Sequence, residues 1–141
     1  MTWHERLLSR FHYFDITDNK GSVYIRRYKL ARTRFFNIYL HHIRRSDADR
    51  CLHDHPWNFV TFILTGGYRE ILPNGVRWRA PGEFFYRSAN FSHRVEVDRP
   101  AWSLVFVGPR IRAWGFWTVF GWRRFVFGQN SPICETGRQT A

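Results

Sequence analysis

The chain is poor in sulfur and in lysine. Its two cysteines, Cys51 and Cys134, stand far apart and form no Cys-x-x-Cys pair. A disulfide framework is therefore unsupported, and the reducing cytoplasm is the expected location. No apolar run approaches the roughly 20 residues that a membrane-spanning helix needs, which excludes that class and a membrane partner. No N-terminal stretch combines a basic segment, an apolar segment and a small-residue cleavage site, so no export signal is expected. Glycine-rich phosphate loops and Gly-x-Ser-x-Gly elbows are missing too. There is no internal repeat, linker or low-complexity segment.

What the chain does have is arginine and aromatic rings. Lysine is confined to Lys20 and Lys29, yet 22 basic residues face 11 acidic ones, giving a net charge of +11. Such a surface suits nucleic acid or another polyanion. An arginine-for-lysine bias explains the same letters, because the basic residues are spread along the chain. Aromatics make up 19% of the chain, enough to build a core in one domain spanning residues 1–141. Trp102, Trp114, Trp117 and Trp122 alternate with arginines, as a stacking surface for single strands would. Core aromatics with arginines outside is the preferred reading.

Thr2 and Glu5 form a capping box, and Trp3, Leu7, Leu8 and Phe11 recur at helical spacing, so a short helix is expected over 3–12. Strands are expected over 22–28, 35–45, 59–65, 68–72, 76–80, 84–87, 92–98 and 101–107. Turns at Gly66-Gly67, Asn74-Gly75 and Pro81-Gly82 separate several of them. The aromatic stretch 112–127 reads as more strand, which bounds a core of about 22–127; the polar tail 128–141 reads as loose. Many short strands with little helix indicate an all-β barrel or double-sheet jelly roll.

The chain is organised around His53-Asp54-His55-Pro56-Trp57, followed by an apolar strand and Gly66-Gly67. Residues i and i+2 of a strand share a face, so His53 and His55 project together. Paired imidazoles are half of a transition-metal site.

This layout resembles the cupin superfamily of small jelly-roll barrels with a metal in the mouth. His53, His55 and Gly66 fall at the spacing of the family's first motif, and Gly82 and His93 at that of its second. Departures are Asp47 for the opening glycine, Phe59 for the motif's glutamate, Ser88 for its proline, Asn90 for the inner glycine and Val97 for its asparagine. Short pieces such as His-Asp-His-Pro-Trp also resemble uncharacterised cupin-like proteins of bacteria and phages.

The resemblance implies a cupin-type jelly-roll β-barrel with a short N-terminal helix. It also implies a divalent transition metal on His53, His55 and His93. Without the family's glutamate the ligands are three neutral histidines, a set similar to that of the cysteine dioxygenase-type thiol dioxygenases. This favours Fe(II), with Zn, Mn or Ni as alternatives, and an oxygenase acting on a small organic molecule. Phe59 cannot form the cysteine–tyrosine cross-link of some thiol dioxygenases, so thiol oxidation itself is not implied. The alternatives are a non-redox metal- or ligand-binding cupin, or one like a sugar isomerase, and a basic nucleic-acid-associated protein. A homodimer is the expected assembly, since cupins often pair through edge strands.

Around the ligands, Glu70 is a candidate carboxylate ligand or general base, set against a solvated strand residue. Tyr68, Tyr86 and Arg87 are candidates for holding an anionic or phenolic substrate. Asp54 should point outward and make a structural hydrogen bond, one of His41 and His42 should face the core, and Cys51 is a nearby thiol or a small buried hydrophobe.

Overall fold

Alternating apolar and polar side chains broken by tight turns give strands, and strands need partners to satisfy their backbone groups. The computed structural model describes residues 1–18, 21–47 and 51–125, and shows how that need is met. Helix α1 (Trp3–Leu8) opens the chain. Its capping box forms as expected: Glu5 N–H donates to Thr2 Oγ1 and Thr2 N–H to Glu5 Oε2. The helix stops short of residue 12 because Tyr13–Thr17 is itself a strand, β1, antiparallel to β2 (Val23–Arg32). The expected core, starting near 22, does not include this edge strand.

The other strands are β3 (Asn37–Ile43), β4 (Leu52–His53), β5 (Phe59–Thr65), β6 (Tyr68–Leu72), β7 (Gly75–Arg79), β8 (Phe84–Arg87), β9 (Arg94–Glu96), β10 (Ala101–Val107), β11 (Gly115–Thr118) and β12 (Gly121–Arg124). One layer is a six-stranded sheet in the order β1-β2-β3-β10-β5-β8. The other layer is made of two short sheets, β12-β11-β4 and β7-β6-β9. A single bridge between His53 and His93 joins them, with N–H···O bonds of 2.9 and 3.0 Å in the two directions. The result is a two-layer jelly roll, and two of the motif histidines sit at the seam of its second layer. The tail 128–141 lies outside the described residues.

Turn chemistry sets the registers. Asn74-Gly75 closes the β6–β7 hairpin and pairs Tyr68 with Arg79. Gly66 and Gly67 both take positive φ, 83° and 73°. A Cβ on Gly66 would come 2.5 Å from the Pro100 carbonyl, so only glycine fits there.

Cross-strand pairs share a face of the six-stranded sheet. Phe14, Arg27, His41, Ser103 and Ile63 form one inward row; Tyr39, Val105, Thr61 and Phe85 form the next. Two core clusters follow, one of Ile43, Ile63, Tyr68, Phe85, Val95 and Ala101, the other of Phe59, Val105 and Val107 with Tyr39 and Trp57 against it. The outward row is Tyr13, Tyr28, Leu40, Leu104, Phe62 and Phe84. Trp102 lies on this outer face, stacked on His42 at 4.1 Å, and Trp117 is exposed on β11. Neither is the core tryptophan that the sequence suggested. Their inward-facing neighbours on the same strands take the interior instead.

Candidate metal centre

β4 is only two residues long, and what fixes its facing is the residue between the histidines. Asp54 accepts hydrogen bonds from Gly115 N–H and Trp122 Nε1, both 2.8 Å, and pairs with Arg112 at 2.7 Å. It points away from the histidines and makes structural hydrogen bonds, as expected, but it is buried, 1% exposed, beneath β11 and β12. The opposite side of the chain carries His53 and His55 toward the interior, and Pro56 ends the segment. His93 arrives from the far side of the seam through its backbone bridge to His53.

The three imidazoles converge. Ring centroids lie 5.1 Å apart for His53 and His55, and 5.0 Å apart for His53 with His93 and His55 with His93. Their ligand nitrogens all lie within 4.8 Å of one another. His93 is buried and the other two are half-buried. Burial pushes His53 down to about 4, with Asp47 partly opposing the shift. Burial, reinforced by His93 and His53, holds His55 well below the ordinary imidazole range. Both are therefore neutral near pH 7 and carry free lone pairs, the form that binds metals.

Two further observations fit a metal. His55 Nδ1 is buried without a hydrogen-bond partner, an arrangement that is costly unless something else meets the ring. His93 Nδ1 lies 2.7 Å from Glu70 Oε1, and a carboxylate there fixes the ring and leaves Nε2 as the ligand nitrogen. At the position of the family's glutamate, the Phe59 ring lies 4.5 Å from the His55 ring and offers no donor atom.

Glu70 is fully buried, which overturns the reading of a solvated strand residue. Arg79 Nε donates to its Oε2 at 2.7 Å, Arg87 Nη2 to Oε2 at 2.6 Å and Arg87 Nε to Oε1 at 3.1 Å. Burial works against its ionisation, but the hydrogen bonds from His93, Arg87 and Arg79 outweigh that and hold it well below the usual carboxylate range. Its oxygens are thus committed to His93 and two guanidiniums. Arg87 faces inward and belongs to this network. Tyr68 is buried in the core, and burial pushes its hydroxyl far above the ordinary phenol range. Tyr86 lies on the outer face, 57% exposed, away from the histidines.

Of the β3 histidines, His41 is the inward one, and its Nε2 accepts from Arg27 Nε at 2.8 Å. Cys51 is fully buried and disulfide-bonded, so of its two readings the small buried residue holds and the free thiol does not. This bond corrects the expectation that disulfides are unsupported; the chain's other cysteine lies outside the described residues. Sequence reading missed Arg79, Arg27 and the placement of Asp47, whose Oδ2 lies 3.6 Å from His53 Nδ1 while accepting Val95 N–H. The available signal was a charged residue at an inward position of a strand, as at Arg27 and Glu70.

No protein-family model matches the chain, and no curated protein matches its sequence. Solved structures do match. The chain superposes on the polyketide cyclase RemF from Streptomyces resistomycificus with a TM-score of 0.63 at 15% identity, covering 87% of this chain and 85% of that one. A cupin-2 domain from Rhodospirillum rubrum matches with a TM-score of 0.59 at 14% identity, covering 73% of each chain. HppE in its Fe(II) form matches with a TM-score of 0.59 at 12% identity, over 70% of this chain and 57% of that one. The fold is therefore the cupin fold. Within it, a three-histidine group stands where a metal can be held. No helix among the described residues is long and apolar enough to cross a membrane.

Proposed function

We propose that this chain is a mononuclear metal cupin enzyme, with Fe(II) the favoured ion, performing an oxygenase reaction on a small organic molecule. The observation that carries the reading is the convergence of three inward imidazoles, one of them oriented by a buried carboxylate, with Phe59 in place of a fourth protein ligand. His53, His55 and His93 would hold the ion. As Fe(II) it would supply a Lewis acid and one-electron chemistry toward dioxygen. Three neutral ligands would leave its positive charge uncompensated and positions open to small molecules. Glu70 holds the His93 ring in place. Phe59, with Val105 and Val107 behind it, walls the site with apolar surface and limits water.

A second reading, a non-redox Zn or Mn cupin, is favoured by the range of proteins sharing the fold, a polyketide cyclase among them. Elemental analysis of the full chain beside a His53→Ala/His93→Ala variant tests both. About one equivalent of metal in the wild type, absent from the variant, is expected. Iron with substrate-dependent oxygen uptake supports the first reading, and zinc without uptake the second. Metal-free wild type after anaerobic reconstitution with each ion would overturn both.

A further inference from the structure

The interior holds a cation that the protein does not neutralise. Arg27 projects from β2 into the inward row between Phe14 and His41. Among the described residues its only hydrogen bond runs from Nε to His41 Nε2, and no carboxylate meets it. Its guanidinium lies against two aromatic rings that touch each other edge-on, 5.3 Å from the Phe14 centroid and 5.2 Å from that of Tyr39. Tyr39 packs on the cluster containing Phe59, and Phe59 lies against His55. A continuous wall thus runs from the three histidines to Arg27. Of the other arginines drawn inside, Arg79 and Arg87 are committed to Glu70 and Arg94 to Glu96, and Lys29, next on the inward side of β2, is exposed.

We propose that Arg27, braced by His41, is the anchor for the carboxylate of a small organic acid, the substrate class of the metal centre. This rests on the enzymatic reading above for its purpose, but not for its geometry. With Nε bound to His41, the two terminal nitrogens remain, and that pair matches the two oxygens of one carboxylate. A single cation balances a monocarboxylate; a phosphate dianion needs more. The flanking rings suit the organic part of the ligand. Burial lowers Arg27 to about 10, which still leaves it charged at neutral pH. His41, held well below the ordinary imidazole range by burial and by Arg27, stays neutral and keeps its lone pair on Nε.

Calorimetric titration of the metal-free full chain with acetate, benzoate and inorganic phosphate, at fixed ionic strength, tests this, with benzamide as the neutral match to benzoate. The wild type should bind benzoate at least tenfold more tightly than benzamide, and Arg27→Gln should erase the difference. Arg27→Lys, which keeps the charge and loses the fork, should fall between. Arg110→Gln on the surface should change nothing. The titration uses metal-free protein, so failure of the metal reading leaves this result standing. No carboxylate binding, equal binding of benzamide, or equal benzoate binding by a folded Arg27→Gln variant would overturn the proposal. Phosphate binding that Arg27→Gln leaves intact, with benzoate following it, would assign the affinity to the basic surface and overturn it as well. Should Arg27→Gln fail to fold, Arg27→Lys and the benzamide comparison within the wild type decide.

Discussion

Glu70 and Arg27 are opposite charges inside the same jelly roll, and the protein treats them differently. Glu70 is enclosed by Arg79, Arg87 and His93, so every oxygen lone pair it can use is met. Arg27 meets one neutral imidazole and two ring faces. A closed network stiffens what it touches, here the His93 ring. An open charge costs stability and is retained where a ligand supplies the missing partner. The contrast separates scaffold from binding surface more sharply than residue type does.

The largest effect should come from opening the closed network. Glu70→Gln leaves two buried guanidiniums facing a neutral amide, and removing one partner of a buried ion pair typically costs about 3–5 kcal/mol. Urea denaturation of the metal-free protein should show a loss of that size. Metal content should fall as well, since the His93 ring loses the acceptor that orients it. A loss under about 1 kcal/mol would mean that water or another group replaces the carboxylate, and the contrast with Arg27 would disappear.

Acid should act next. His53 titrates near 4 in the fold against an ordinary value near 6.5, so between those values the unfolded chain takes up the proton more readily. The stability this group contributes is complete above about pH 6.5 and is lost as pH falls toward 4. The gap corresponds to about 3 kcal/mol at most. His55 and His41 shift in the same direction and steepen the loss. Urea midpoints of the metal-free protein should therefore drop between pH 7 and 4.5. Added Zn(II) should move the drop to lower pH, because the ion and the proton compete for the same lone pairs. His53→Ala should flatten part of the slope and remove the zinc effect, while His41→Phe should flatten its own share and leave the zinc effect intact. A pH-independent midpoint would show that the imidazoles are reached by water in the fold.

The histidines of the triad were legible in the sequence, whereas the groups that set their chemistry were not. His53 and His55 share a face by simple alternation, and Gly66, Gly82 and His93 fall at fixed distances along the chain. The Asn74-Gly75 hairpin was equally plain, since a turn is a property of adjacent residues. The network around Glu70 draws Arg79 from β7, Arg87 from β8 and His93 from just before β9, and β8 lies in the opposite layer from β6. Nothing local marks that meeting. Asp54 reads as outward by parity, and so it is relative to the histidines, but β11 and β12 close over it. Tyr13–Thr17 falls between the helix expected over 3–12 and the first expected strand, and only the presence of β2 beside it makes it a strand. Trp102 and Trp117 read as core by type, yet their strands point them outward.

The smallest effect should come from removing Arg27 altogether. Methionine has a similar length, needs no partner and packs well against rings. Arg27→Met trades an uncompensated cation for apolar packing at the cost of one hydrogen bond to His41. Such exchanges are often neutral, so stability should stay within about 1 kcal/mol of wild type, against the several expected for Glu70→Gln. Urea denaturation of the two variants in parallel measures the difference directly. A small change in stability together with lost benzoate binding is what a ligand anchor should give. A loss as large as that of Glu70→Gln would show that Arg27 has a structural partner after all, and the two charges would then be doing the same job.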